Sequence, residues 1–259
     1  IKKQKFKNYE IIVVNDGSTD NTYKIAKKSK LDKILNFKEG HSAAFSRNKG
    51  SEVAKGEYLI FLDADQIIEK NFLEKLKKFI KNKDELFLFD IYPINPKTFF
   101  QKGWHAYRTT NICGGIIIKR EIFNSFKFSE KLFYIEDNDL LDRLQNKGYK
   151  INRPGVKVYH IDPETFNDNL RQRKWQGKGI YCWIFIKHRP LFIKYFLLCL
   201  LIPLLFINVW LPMLFLLLYY LKFVFESKQP INSLYWVFID IVGRHVSLYY
   251  FLKYLLFNR

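Results

Sequence analysis

Two acidic side chains in the first third of the chain have the spacing of a metal site. Asp63 and Asp65 are separated by one residue and come directly after the apolar run 58–62. Two carboxylates at such a position offer hard oxygen ligands, which suit Mg²⁺ or Mn²⁺ held together with the phosphates of a substrate. Asp-x-Asp is also common in solvated turns, so the pair by itself decides nothing.

Two further acidic segments could also take part in chemistry. Asp16 follows an apolar run and begins Asp-Gly-Ser-Thr-Asp, which is either turn and helix-cap chemistry or a contact to a nucleotide base or ribose. Glu136 and Asp137 open a segment with four carboxylates at the start of a predicted helix. The helix dipole favours acidic residues there, which is one explanation. The other makes one carboxylate a general base beside a substrate hydroxyl.

The segments that position these residues alternate between strand-like and helix-like patterns. Predicted strands occupy residues 10–14, 33–37, 58–62 and 86–92. Predicted helices occupy residues 23–29, 42–54 and 71–81. This alternation predicts an α/β domain with a mostly parallel sheet, in which ligands bind beyond the carboxyl ends of the strands. Asp16 and the pair Asp63 and Asp65 are therefore expected at the same edge of the sheet.

Four motifs in this order resemble the family 2 glycosyltransferases of GT-A fold. They are Asn-Asp-Gly-Ser-Thr-Asp at 15–20, Ser-Arg-Asn-Lys-Gly at 46–50, the strand with Asp-Ala-Asp at 58–65 and Glu-Asp-Asn-Asp-Leu at 136–140. The resemblance covers roughly residues 9–160. It implies an α/β, Rossmann-like domain of the nucleotide-diphospho-sugar transferase type.

The resemblance also implies roles on the donor side of the site. Asp16 would contact the base or ribose of a sugar-nucleotide donor, Arg47 would lie near its diphosphate, and Asp63 would lie by the ribose and the metal. Asp65 would be the main protein ligand of Mg²⁺ or Mn²⁺. His160 would supply another metal or diphosphate contact, although a single His at a strand end is more often structural.

On the acceptor side, the resemblance makes Asp137 the catalytic base, with Glu136 and the glycine pair Gly114 and Gly115 beside the acceptor. It implies an inverting transfer. Because a base is needed only where the nucleophile is a hydroxyl, we expect a hydroxyl of a glycan or lipid-linked acceptor, in cell-surface polysaccharide synthesis. The alternative is a non-catalytic member that binds a sugar nucleotide or serves as a scaffold in a glycan-assembly complex.

Composition restricts the partners. The chain has 259 residues, a net charge of +18 and 48% hydrophobic residues, and so much apolar content excludes a disordered protein. The positive charge favours an anionic partner, which could be nucleic acid, a phosphate-bearing substrate or a membrane surface. The lysines are spread over predicted helices rather than set in a nucleic-acid-binding motif, so we expect membrane lipid and no nucleic acid.

The C-terminal part has a different character. Residues 195–221 form a run of 27 without Asp, Glu, Lys or Arg, which is typical of a membrane-spanning segment. Basic residues on both sides favour a hairpin with both ends on the cytoplasmic face of the cell membrane. A kinked single span and a very apolar soluble helix are the alternatives. Residues 232–257 are a second apolar stretch, predicted as an interfacial helix or a further span.

Three regions are predicted on this basis. Residues 1–165 form the GT-A domain, residues 166–189 a basic juxtamembrane interface segment or else a solvated linker, and residues 190–259 a transmembrane hairpin plus an amphipathic or membrane helix. Members of the family usually have an earlier strand that completes the nucleotide pocket. Because this chain opens at Ile1, near the second strand, we expect a fragment with weakened donor binding.

Overall fold

The computed structural model describes residues 1–80, 85–94, 97–98, 101–103, 115–132, 134–181, 210–228 and 230–257. The chain divides into two compact units. One consists of Ile1–Asp90 and Gly114–Val158, and the other of Ile91–Cys113 and Tyr159–Arg259.

The described elements alternate along the first two-thirds of the chain and become helical towards the end. The strands are β1 (Ile12–Asp16), β2 (Lys33–Phe37), β3 (Tyr58–Ile60), β4 (Gln66–Ile68), β5 (Leu86–Pro93), β6 (Gly115–Lys119) and β7 (Lys157–His160). The helices are α1 (Thr22–Lys28), α2 (Ala43–Val53), α3 (Phe72–Phe79), α4 (Arg120–Phe126), α5 (Glu136–Asn146), α6 (Phe166–Tyr181), α7 (Trp210–Ser227) and α8 (Pro230–Phe257). All seven strands and helices predicted up to residue 92 are present, with their ends displaced by a few residues at most.

The strands form two sheets, and one of them corrects the expectation of mostly parallel strands. β1 and β2 are a parallel pair, whereas β3, β6, β5, β7 and β4 form a five-stranded sheet in that order. β6 runs antiparallel to both of its neighbours, so that Ile117 pairs with Ile60 on one side and with Phe87 on the other. A strand buried on both faces is apolar throughout in either direction, so the apolar pattern does not reveal the direction of pairing.

The core of the first unit lies between this sheet and the helices α2, α4 and α5. Its fully buried side chains include Leu86, Ile118, Phe123, Leu140 and Leu144. α2 and α5 each pack one side against this core. The same two helices carry the predicted site residues Arg47 and Glu136. The start of α2 is further held by the side chain of Ser42, which accepts a hydrogen bond from the backbone N–H of Phe45 at 3.1 Å, as an N-cap residue does.

In the second unit, α6 packs along α8 through a buried ion pair. Arg173 of α6 is almost completely buried, and its guanidinium lies 3.4 Å from the carboxylate of Asp240 on α8. Asp240 also accepts a hydrogen bond from Arg244 Nε at 2.7 Å, and the two residues lie one turn apart on the same helix. α6 is therefore a helix that is packed on the side of Arg173, and the juxtamembrane role of residues 166–189 stays a prediction.

The predicted membrane hairpin falls largely on residues that the structure does not describe. Residues 195–209 of the uncharged run lie outside the described ranges, and the rest of the run belongs to α7. None of the helices within the described ranges combines the length and the hydropathy that crossing a bilayer requires.

Candidate functional site

The guanidinium of Arg47 brings together two of the predicted acidic groups. Arg47 lies on α2 and donates one hydrogen bond to Glu136 Oε1 at 2.6 Å and another to Asp63 Oδ1 at 2.8 Å. The Glu136 side chain is only 6% exposed and that of Asp63 is 50% exposed. The guanidinium also lies 5.4 Å from the centre of the Phe128 ring, a cation–π distance. Arg47 thus joins a solvated carboxylate to a buried one.

The two aspartates of the Asp-x-Asp turn have different surroundings. Besides its contact with Arg47, Asp63 is tied to Gln66, which donates from its side-chain amide to Asp63 Oδ2 at 3.2 Å and accepts the Asp63 backbone N–H at 3.2 Å. These two bonds close the turn over residues 63–66. Asp65 lies within the turn and is exposed. Gln66 was missed by the sequence analysis, since only its place directly after the Asp-x-Asp could have indicated it.

The start of α5 carries the other acidic group. Ile135, the residue before the helix, is buried and has a left-handed backbone conformation with φ of +65°. Asp137 is half-buried, and within the described part of the chain its carboxylate makes no hydrogen bond or ion pair. Asp139 instead accepts a hydrogen bond from Arg143 Nε at 2.9 Å. Glu136 is bonded to Arg47 and Asp139 to Arg143, which leaves the Asp137 carboxylate without a bonded partner among the described residues.

The pKa values of Arg47 and Glu136 are both raised, but for different reasons. Burial raises the pKa of Glu136, and the charge of the adjacent Asp137 raises it further, while Arg47 opposes both effects. Burial acts to lower the pKa of Arg47, but the charges of Asp63 and Glu136 outweigh it, and the pKa is raised. The guanidinium therefore stays charged, and it is the main group that favours the ionised form of Glu136.

Asp16 lies at the end of β1 and is held by a residue that the sequence analysis missed. Both of its carboxylate oxygens are bonded to His41, one to the backbone N–H at 3.0 Å and the other to the ring Nδ1 at 2.8 Å. No hydrogen bond or ion pair between described residues joins Asp16 to Asp63. The structure therefore brings Arg47, Asp63 and Glu136 together directly, whereas Asp16 belongs to a separate pair with His41.

The predicted metal ligands remain a prediction. Asp65 offers exposed hard oxygens, which suit Mg²⁺ or Mn²⁺, and Mg²⁺ is commonly bound through one or two carboxylates together with substrate phosphates. His160 ends β7, and its Nδ1 lies 3.2 Å from the buried carboxylate of Asp162. Within the ranges that the structure describes, no three His, Cys, Asp or Glu side chains are grouped so as to hold a metal ion. The chemistry of Asp65 fits such an ion only if the substrate supplies most of the ligands.

The structure describes one of the two glycines that were predicted beside the acceptor. Gly114 lies outside the described residues, and Gly115 begins β6. A Cβ at Gly115 would overlap the ring of Phe89 on the neighbouring strand β5. Packing of the sheet therefore accounts for this glycine without reference to an acceptor.

Comparison with known proteins shows the family of the chain. The profile described as "Glycosyl transferase family 2" matches residues 1–143, which include every predicted site residue except His160. The chain belongs to this family, as the resemblance of the motifs predicted.

The similarity to named relatives covers only part of their length. The chain is 39% identical over 88 residues to Glycosyltransferase GlyG of Streptococcus pneumoniae, which is 32% of this chain and 29% of that protein. It is 30% identical over 126 residues to Poly(ribitol-phosphate) beta-N-acetylglucosaminyltransferase TarP of Staphylococcus aureus, which is 45% of this chain and 36% of that protein. The matched region thus spans well under half of either relative.

The fold is similar to that of a solved structure. The crystal structure of S. aureus TarS 1-349 in complex with UDP has a TM-score of 0.50 and 18% identity, and the match covers 97% of this chain and 85% of that chain. At this identity the likeness concerns the fold alone. It agrees with the predicted α/β glycosyltransferase fold.

The ion pairs of Arg47 predict a pH-dependent loss of stability in Arg47→Met. Glu136 would lose its cation, and we expect the free energy of unfolding to fall by about 3 kcal/mol at neutral pH. Without Arg47, the pKa of folded Glu136 rises further above its ordinary value of 4.5. The folded variant then binds the proton of the Glu136 carboxyl more tightly than the folded native protein does. The stability of the variant relative to the native protein therefore falls as the pH rises. The difference in the free energy of unfolding between the native protein and Arg47→Met should be smaller below pH 4.5. Urea unfolding at a series of pH values measures it.

Arg153→Met is the matched control for this measurement. Arg153 pairs with Asp90 at 2.8 Å but is 46% exposed, and an exposed pair contributes about 1 kcal/mol or less. A deficit in Arg47→Met that is no larger than that of the control, or that does not change with pH, would contradict the assigned role.

Proposed function

We propose that the protein is an inverting glycosyltransferase. It moves a sugar from a nucleotide-diphospho-sugar donor to a hydroxyl of a glycan or lipid-linked acceptor, in the synthesis of a cell-surface polysaccharide. The observation that carries the proposal is the available carboxylate of Asp137 directly beside Glu136, which Arg47 joins to Asp63. Membership of the family supports this function, and the name of the relative TarP, which includes poly(ribitol-phosphate), supports a polymeric acceptor with free hydroxyls.

The acceptor step follows from the two neighbouring carboxylates of α5. Glu136 is buried and bonded to Arg47, so it serves to fix the start of the helix. Asp137 takes the proton from the acceptor hydroxyl, whose oxygen forms a bond to the anomeric carbon of the donor. The bond from that carbon to the diphosphate breaks on the opposite face, which inverts the configuration.

The donor step needs groups that hold the diphosphate and its nucleotide. Asp16 binds the base or ribose, and the guanidinium of Arg47 provides a fixed positive charge near the phosphates. Mg²⁺ or Mn²⁺ bound through Asp65 would supply Lewis-acid stabilisation of the negative charge on the leaving diphosphate. Asp63 keeps Arg47 oriented and, through Gln66, keeps the turn that carries Asp65 closed.

Replacing Asp137 by Asn should remove the base with little change in shape. We expect kcat of the full-length protein to fall at least about 100-fold, the lower bound for a general base, in transfer assays over a panel of sugar nucleotides. Asp142→Asn makes the same change on the same helix and should retain activity within a few fold. Full activity in Asp137→Asn would overturn the base assignment. A native protein that binds sugar nucleotides without turnover would favour the non-catalytic alternative.

A bound metal ion predicts two linked effects of Asp65→Ala. Transfer by the native protein should stop in EDTA and return with Mn²⁺, and the variant should need a higher Mn²⁺ concentration because one ligand is lost. Binding of Mn²⁺ in the presence of UDP, followed by electron paramagnetic resonance, should weaken in parallel. Turnover that survives both EDTA and Asp65→Ala would show that the reaction does not use this metal.

We further propose that the protein works at the cytoplasmic face of the cell membrane, attached through its C-terminal helices. The uncharged run 195–221 and its basic flanks support this. So does α7, on which Leu214, Leu217, Leu218 and Leu221 have helical spacing and are each about half exposed, as an apolar stripe in contact with lipid would be.

The full-length protein should sediment with membranes at high speed and require detergent for release. Recovery in the supernatant without detergent would refute the attachment.

A further inference from the structure

We infer that His41 is a positioning residue for the donor nucleotide, which it serves by fixing the carboxylate of Asp16. The inference rests on the proposed function, because that function assigns Asp16 to the nucleotide. Nothing in the four sequence motifs indicates His41, which lies between the predicted strand at 33–37 and the predicted helix at 42–54. The chemistry concerned is that of a nucleobase or ribose, whose N–H and O–H groups donate hydrogen bonds.

His41 holds both oxygens of one carboxylate. Its backbone N–H donates to Asp16 Oδ2 at 3.0 Å, and its ring Nδ1 lies 2.8 Å from Asp16 Oδ1. Since a carboxylate only accepts, Nδ1 must carry the hydrogen in this contact. Two bonds from one residue fix both the position and the rotation of the carboxylate plane, which a single bond would leave free.

The imidazole of His41 is itself held in place by aromatic rings. It stacks on Phe45 of α2 with a centroid distance of 4.0 Å and an interplanar angle of 14°. Phe37, the last residue of β2, meets it edge-on at 5.7 Å. The ring is therefore supported by a strand and a helix on separate sides, although 40% of the His41 side chain is exposed. Such support makes the orientation of Asp16 a property of the fold before any ligand arrives.

The backbone conformation beside Asp16 allows the contact with His41. Gly17 directly follows Asp16, has φ of +72°, and its backbone touches that of Gly40 so closely that a Cβ would overlap Gly40 N. The backbone N–H of Gly17 donates to Phe37 O at 3.2 Å. The turn after β1 and the loop before α2 are thus in direct contact. His41, one residue after Gly40, is brought to the Asp16 carboxylate by this contact.

The carboxylate of Asp16 can still accept further hydrogen bonds. An ionised carboxylate has about four lone-pair positions, of which the two bonds from His41 use two. The remaining positions can accept from a nucleobase N–H or a ribose hydroxyl. Asp16 is therefore oriented without being saturated, which is the requirement for a preorganised binding group.

Nucleotide binding by a set of variants tests the inference. Binding of UDP and, in parallel, of GDP and ADP to the full-length protein is measured by isothermal titration calorimetry for His41→Ala, Asp16→Ala and the double variant. We expect His41→Ala to weaken binding of the preferred nucleotide about tenfold, which corresponds to one hydrogen bond to a charged group. In the Asp16→Ala background the same change should have almost no further effect, because the two residues act as one unit.

Kinetics and a conservative variant separate positioning from a merely structural role. In His41→Ala the donor KM should rise about tenfold, while kcat and the acceptor KM stay close to native. His41→Asn keeps the backbone N–H and places a side-chain N–H near the position of Nδ1, so it should restore most of the affinity. A structural role would instead lower kcat and the unfolding temperature together and would not be rescued by Asn.

The outcomes distinguish this inference from the function on which it rests. If Asp16→Ala loses the nucleotide and His41→Ala binds it as the native protein does, the inference is wrong and the proposed function stands. If the two effects add in the double variant, His41 acts independently of Asp16, which also contradicts the inference. If Asp16→Ala itself binds normally, the assignment of the donor site to Asp16 fails and the inference fails with it.

Discussion

A single guanidinium holds the candidate site together. Arg47 is bonded to Asp63 in the turn after β3 and to Glu136 at the start of α5, so two segments far apart in the sequence are fixed by one planar group. Glu136 is nearly buried and lies next to Asp137, an arrangement that would favour its neutral form. Because Arg47 supplies the opposing charge, it favours the ionised form of Glu136, against the burial and the neighbouring charge that raise the pKa of this group. The placement of the expected base thus depends on a residue that need not touch the acceptor.

Much of this organisation could be predicted from the sequence because it is local. The apolar runs that became β1, β2, β3 and β5 are bounded by turn residues, and the capping Ser42 stands where the helical pattern begins. The acidic motifs have spacings short enough to be read along the chain. Their order identified the family, which the profile match to residues 1–143 confirmed.

What could not be predicted is non-local. Asp16 and His41 are 25 residues apart in the sequence, and nothing in the spacing of either residue names its partner. The direction of β6 escaped prediction because burial on both faces fixes hydrophobicity and not strand polarity. The burial of Arg173 could not be predicted either, because a basic side chain in a basic segment is expected to be solvated. Its partner Asp240 is 67 residues away in the sequence.

The left-handed backbone of Ile135 has a consequence for how this protein could change in evolution. A β-branched residue with φ of +65° carries a conformational cost of about 1–3 kcal/mol, which a glycine would avoid. Yet the buried Ile135 side chain anchors the chain directly before Glu136 and Asp137. A substitution that relaxed the backbone would also release the carboxylates from their anchor. Position 135 is therefore a point of trade-off, where selection for a more stable backbone alone would act against the placement of these two carboxylates.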